Sequence, residues 1–193
     1  RRNSFKYMLK ILFKTTVFVV LFFIPKLVFG NVIINEITWM GTEISANDEW
    51  IELYNNNAEA VDLTGWILEA VDGTPLINLS GSIPAGGYFL LERTNDESVS
   101  SIIADLIYGN DGSSWALKNT GENLNLKDNT NNVLAALDFS SGWSAGDNTT
   151  KQTMERTATD WQTSLNPGGT PKAPNSSGAI EEPEEQSTEE SET

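Results

Sequence analysis

Asp48-Glu49-Trp50-Ile51-Glu52-Leu53-Tyr54-Asn55 is the stretch on which the fold turns. Its aromatic and β-branched residues run to an Asn-rich stop, Asn55-Asn56-Asn57, which is the pattern of a strand entering a turn. Alternation sends Glu49, Ile51 and Leu53 to one face and Trp50, Glu52 and Tyr54 to the other. Ile51 and Leu53 are then the natural core pair. Glu52, flanked by two aromatics, reads as the cross-strand partner of an Arg or Lys rather than as a reactive acid.

Outward from this strand the same grammar repeats. Val32 to Ile37 is β-branched and precedes Gly41, which fits a first strand. Val61 to Leu68 contains Gly65, where a bend or close strand approach fits. Asp72-Gly73 turns the chain ahead of Leu76 to Leu79, and Ser82 to Gly87 is a second turn before Tyr88-Phe89-Leu90-Leu91-Glu92, apolar enough to be covered on both sides. Ile102 to Tyr108 is less regular, and a polar loop, Gly109 to Ser114, leads to Trp115. Leu124 and Leu126 with Val133 to Leu137 read as a hairpin around the exposed turn Lys127 to Asn132. Met154-Glu155-Arg156 and Trp161 close the domain before the stop signal Pro167-Gly168-Gly169-Thr170-Pro171. Many short strands with Gly, Pro and Asn turns, and no comparable helical period, predict an all-β sandwich.

Five pieces occur in order between about Val32 and Pro171: Ile34-Asn35-Glu36-Ile37, Trp50-Ile51-Glu52-Leu53, Leu63-Thr64-Gly65-Trp66, Pro84-Ala85-Gly86-Gly87 and Leu117-Lys118-Asn119-Thr120-Gly121-Glu122. Together they resemble a lamin-tail domain of the bacterial secreted type. The resemblance implies an immunoglobulin-like β-sandwich, and it implies an accessory role, since such bacterial domains often accompany extracellular nucleases or hydrolases. A fold of this kind hosts unrelated functions, so the fold alone does not fix the function. No heptad rod precedes the domain, which removes filament assembly from the expectations.

The ends differ from the middle in charge. Residues 1–30 carry six Lys or Arg and no acid, and Lys10 and Lys14 precede an apolar run, Thr15 to Ile24, with Val28-Phe29-Gly30 at the cleavage positions. That is a removed export signal, too short for a retained span and interrupted by Pro25-Lys26. Residues 1–7, ahead of Met8, read as a spurious extension from a mis-called start or as the remnant of a longer open frame. The expected organisation is a signal over 1–30, a sandwich over 31–171 and an acidic, solvated linker over 172–193, which ends in runs such as Glu181-Glu182-Pro183-Glu184-Glu185. The expected location is exported, whether extracellular, cell-surface or periplasmic, with no membrane insertion after cleavage. The chain beyond Gly30 sums to −21, so nucleic acid is an unfavourable partner and cations, basic proteins or uncharged glycans are easier ones.

The chemistry is bounded by what is missing. With neither Cys nor His, the sequence excludes disulfides, Ser-His-Asp and Cys-His sets and the usual zinc combinations. Calcium is the one metal its oxygens invite, at Ser45 to Glu49, Asn110-Asp111-Gly112 and Asp128 to Asn132, but none has a calcium-loop spacing and no cofactor is expected. Glu36, Glu49, Glu52 and Glu92 are enough acids to compose a glycosidase pair, yet acids are so common here that chance pairs are expected, and no catalytic residue is assigned. Six Trp raise a second possibility, a carbohydrate platform, for which Trp115 and Trp143, both in polar loops, are the candidates. The sequence therefore predicts a non-catalytic adhesion, scaffolding or accessory module on an acidic stalk. Its partner is a cell-envelope or surface protein, or a glycan.

Overall fold

A computed structural model describes residues 32–109 and 115–176. The export signal over 1–30, the candidate ligands Asn110-Asp111-Gly112 and the acidic run after Ser176 lie outside the described residues.

Short runs of β-branched, leucine and aromatic residues give β1 (Val32–Thr38), β2 (Trp50–Asn55), β3 (Val61–Asp62), β4 (Ile67–Ala70), β5 (Leu76–Asn78), β6 (Ser82–Ile83), β7 (Tyr88–Glu92), β8 (Leu106–Ile107), β9 (Asn123–Lys127), β10 (Val133–Asp138), β11 (Gln152–Arg156) and β12 (Trp161–Pro167). They form a six-stranded sheet in the order β12-β11-β1-β2-β7-β8 and a four-stranded sheet in the order β10-β9-β4-β5, with β3 and β6 paired separately. The described residues form an all-β sandwich.

Between the sheets lies one apolar core that takes Ile34, Ile37, Ile51, Leu53, Phe89, Leu91 and Met154 from the larger sheet and Leu68, Ala70, Ile77, Leu124 and Leu126 from the smaller. Ile51 and Leu53 are fully buried there, each contributing about 1.5–3 kcal/mol of transfer free energy. Trp50 is also buried, but on the opposite face, against Leu90, Val99 and Ile102. The alternation read from the sequence is thus observed residue by residue.

The outer face of the larger sheet is not left to solvent. The parallel pairing of β7 with β8 requires a crossover, and that segment, which carries Val99 and Ile102, covers Trp50 and Leu90. A second segment, residues 168–176, leaves the end of β12 and folds back over β11, β1 and β2. Its Thr170 amide reaches Glu36 on β1, its Lys172 amide reaches Glu52 on β2, and its Ser176 amide reaches Glu155 on β11. The folded unit therefore continues past Pro171, the expected boundary, to Ser176. Lys172 to Ser176 carry none of the Glu that makes the later segment self-repelling.

Candidate functional site

The most unusual chemistry sits under residues 168–176. Antiparallel register places Glu36 directly opposite Glu52 on one side and Glu155 on the other, so three carboxylates stand in a row across β2, β1 and β11. All three are fully buried. Like charges directly opposite on a sheet are destabilising, so the row needs donors or protons.

The covering segment supplies the donors. Thr170 N–H donates to Glu36 Oε1 at 3.0 Å, and Thr170 Oγ1 lies 3.1 Å from Glu36 Oε2 and 2.9 Å from Glu155 Oε1. Thr153 Oγ1, on β11, donates to Glu36 as well. Glu155 accepts from Ser176 N–H at 3.0 Å, Ser176 Oγ at 2.9 Å and Gln162 Nε2 at 3.1 Å. Glu52 accepts from Asn35 Nδ2 at 3.0 Å and Lys172 N–H at 2.6 Å. Asn35 and Asn175 hold each other by amide contacts of 2.8 and 3.1 Å, and Lys172 Nζ pairs with Asp105 at 2.9 Å. Glu52 is thus not the partner of an Arg or Lys side chain, as expected; a main-chain amide and an asparagine take that place. The segment passes so close that a Cβ on Gly169 would stand 2.9 Å from Glu36 Cδ, and only glycine fits.

Burial dominates the protonation of this row. Desolvation, the largest cause, pushes Glu36 up to about 8 against the lowering effect of its Thr153 and Thr170 bonds, and neighbouring Glu52 and Glu155 push the same way. Glu52 is pushed up to about 7 by desolvation, opposed by the Lys172 amide and Asn35. Tyr88, beside Tyr54 at 5.0 Å between ring centroids, is raised by desolvation and by the same carboxylates.

The other acids are placed elsewhere. Glu49 sits at the core side of β2, where Arg93 Nη1 approaches at 3.3 Å and Leu117 N–H donates at 2.8 Å; desolvation still pushes it up to about 7. Glu92 is buried beside Trp50, accepts from Ser98 N–H at 3.1 Å and leaves Oε1 without a protein partner. Of the four acids weighed for a glycosidase pair, Glu36 and Glu52 are therefore neighbours, but both are closed beneath residues 168–176.

Neither tryptophan of the predicted platform stands free. Trp115 and Trp143 are half-buried against the main core. Trp143 stacks on Trp39 at 6.0 Å with 5° between planes, meets Phe139 at 5.3 Å, and its indole N–H donates to Lys118 O at 2.8 Å. Polar neighbours in sequence suggested exposure, but Phe139 and Trp39 capture the ring. Asp128 spends its oxygens on Thr130 and Asn132 of its own turn, which also holds its carboxyl below the usual range, and Asp48 accepts from Thr42 Oγ1. Among the described residues no group of three or more Asp, Glu, His or Cys is placed to hold a metal ion.

The row across β11, β1 and β2 was not visible in sequence because register is a tertiary property. The available signal was Glu36, Glu52 and Glu155 each lying within an apolar strand pattern. The model of the Lamin Tail Domain family matches residues 27–141, more than half of the chain. Glu155 and residues 168–176 lie beyond that match. No curated protein matches the chain.

Proposed function

This chain belongs to the lamin tail domain family, a family of non-enzymatic immunoglobulin-like domains, and we propose that here the domain is an exported adhesion, scaffolding or accessory module that binds a basic envelope or surface protein. One observation carries this reading: the cations of the described residues are spent internally, and the remaining surface charge is acidic. Arg93 pairs with Glu49, Lys118 with Asp72, Lys127 with Glu69 and Lys172 with Asp105. Arg156 lies 5.5 Å over the Trp161 ring, and Lys151 is bound to Met40 O and Asn148 Oδ1. Glu43, Glu59, Asp62, Asp96, Glu97, Asp138, Asp147 and Asp160 remain exposed. Such a field favours cationic partners and disfavours phosphate backbones.

The absence of catalysis is supported by how the buried acids are used. Glu36, Glu49, Glu52 and Glu155 accept main-chain amides or pair with Arg93, which are structural uses. The signal-like segment over 1–30 supports export.

The test is capture on the immobilised chain of purified basic and acidic envelope proteins and of a glycan panel, each at about 0.05 M and about 0.5 M salt. Retention of basic proteins that is lost at high salt is the expected result. Retention of glycans alone, abolished by Trp143→Ala with the fold intact, would replace the reading with the carbohydrate one. Turnover of any glycoside would refute the non-catalytic assignment.

A further inference from the structure

The hydroxyl of Thr170 lies between two carboxyl groups, 3.1 Å from Glu36 Oε2 and 2.9 Å from Glu155 Oε1. A threonine hydroxyl has one proton to donate and can accept others. Both contacts are attractive only if one carboxyl group brings a proton of its own. Donor counting says which. Glu155 already receives Ser176 N–H, Ser176 Oγ and Gln162 Nε2, the environment of an anion. Glu36 Oε1 accepts from Thr153 Oγ1 and the nearer branch of the Thr170 N–H, 3.0 Å against 3.3 Å to Oε2, so Oε2 has the weaker donor and is the oxygen that carries a proton toward Thr170. The arrangement is a short relay: Glu36 donates to Thr170, and Thr170 donates to Glu155.

We infer that residues 168–176 are a pH-gated strap, closed on the sheet while Glu36 holds this proton and released when the proton passes to water. Loss of the proton leaves Glu36 and Glu155 as directly opposed anions in a dry layer, with one hydroxyl proton between them. Lifting the strap hydrates both. The groups that face this layer all bear on the gate. Glu52 on β2 sits opposite Glu36 and repels its anion, as does Glu155 on β11. Tyr54 on β2 and Tyr88 on β7 flank the row, and desolvation raises the Tyr88 phenol. Lys172 of the strap pairs with Asp105 of the crossover segment, so that cation is largely neutralised where it stands. Glu49 also titrates near neutrality but lies on the core side against Arg93. Burial of Glu36 raises its proton affinity in the closed form, which is the direction the gate needs. Release would free Ser176 from Glu155 and from Leu165 N–H of β12.

Linkage sets the size of the effect. One proton held by the closed form and lost by the open form shifts the opening equilibrium up to about tenfold per pH unit between the two proton affinities. The experiment is amide hydrogen exchange on the full chain at about pH 6, 7, 8 and 9, expressed as protection factors corrected for intrinsic rates. The strap amides Thr170, Lys172 and Ser176 are compared with the β2 amides of Ile51 and Leu53. Strap protection is expected to lie below that of β2 at every pH and to fall at least about tenfold from pH 6 to 9, and Glu36→Gln, the neutral isostere, is expected to make that fall smaller. A flat wild-type profile, or the same fall in Glu36→Gln, would overturn the gate. If that variant does not fold, the carbon-13 titration of the Glu36 carboxyl in the wild type decides. A midpoint at or above about 7 supports the gate, and one below about 7 overturns it.

Discussion

Replacing Gly121 by Ala tests why the Lys118-Asn119-Thr120-Gly121-Glu122 motif contains its glycine. Gly121 has φ of 110°, and a Cβ there would overlap the Phe139 carbonyl oxygen and stand 2.9 Å from the Gly142 Cα and N. These are backbone atoms held by Phe139 N–H to Glu122 O at 3.0 Å and Gly142 N–H to Phe139 O at 2.9 Å, so they cannot swing aside as a side chain would. Gly73 is the matched control. It has φ of 91°, yet an added Cβ meets nothing within 4 Å. Both substitutions carry a left-handed penalty of about 1–2 kcal/mol, partly offset by about 0.4–1 kcal/mol from the stiffer unfolded chain. Gly121→Ala adds overpacking of about 1–3 kcal/mol. The expected losses are therefore about 1 kcal/mol for Gly73→Ala and about 2–4 kcal/mol for Gly121→Ala, read as urea midpoints at constant m-value. In melting temperature the second corresponds to roughly 5–12 °C for a domain of this size. Equal losses at the two positions, within about 0.5 kcal/mol, would refute the claim that backbone contact rather than φ fixes the glycine.

Stability should fall as pH rises from about 5 to about 8.5. Glu36 at about 8 and Glu49 and Glu52 at about 7 all lie above the ordinary 4.5, so the folded chain holds protons that the unfolded chain has lost. The contribution is complete below about 4.5 and is lost as pH passes the folded values. The loss by pH 8.5 is at least about 2 kcal/mol, and a higher urea midpoint at pH 8.5 than at pH 5 would contradict it. A chain that ends at Pro171 should be less stable than one that ends at Ser176. It lacks the Lys172 amide on Glu52, the Asn175 amide on Asn35 and the Ser176 donors on Glu155. Buried acceptors left without partners cost about 1–3 kcal/mol each, so a total of about 3 kcal/mol or more is expected, and equal melting temperatures would show that the covering segment holds nothing.

Strands whose apolar residues alternate were legible: Ile51 and Leu53 inward, Trp50 and Glu52 outward, and Leu124 and Leu126 opposite the Val133 to Leu137 strand. Tyr88 to Glu92 was read as covered on both sides and is, because Phe89 and Leu91 face the main core while Leu90 meets Trp50. What sequence could not supply was neighbourhood. β11 appears last in the chain's apolar pattern, as a closing piece, yet it pairs with β1, the first strand. That long-range pairing is what brings Glu155 to Glu36. The contacts of residues 172–176 were hidden for a related reason. Pro167-Gly168-Gly169-Thr170-Pro171 is a stop signal for β12, and a stop for a strand need not be a stop for the domain. The acidic runs begin only at Glu181, so composition alone separated Lys172–Ser176 poorly from the tail. Trp143 is half-buried against Trp39 and Phe139, because polarity of flanking residues reports on their side chains and not on the ring.

The carboxylate row itself follows from the order in which the face is covered. The outer face of β11, β1 and β2 is closed by residues 168–176, the last part of the described fold to follow in the chain. Until that segment docks, the face meets water. An apolar row there would be a sticky sheet surface next to the long strand β1, a feature that invites association during folding. Three glutamates keep the open face soluble, and their later burial carries a desolvation cost that main-chain amides and a retained proton reduce. Substituting Glu36 and Glu155 together by Leu and Met would accordingly separate the two demands. Such a chain should melt below the wild-type temperature, since the Thr170 and Ser176 amides lose their acceptors at about 1–3 kcal/mol each. Its refolding yield should drop as chain concentration rises. A yield that matched the wild type at every concentration would leave the row without this role.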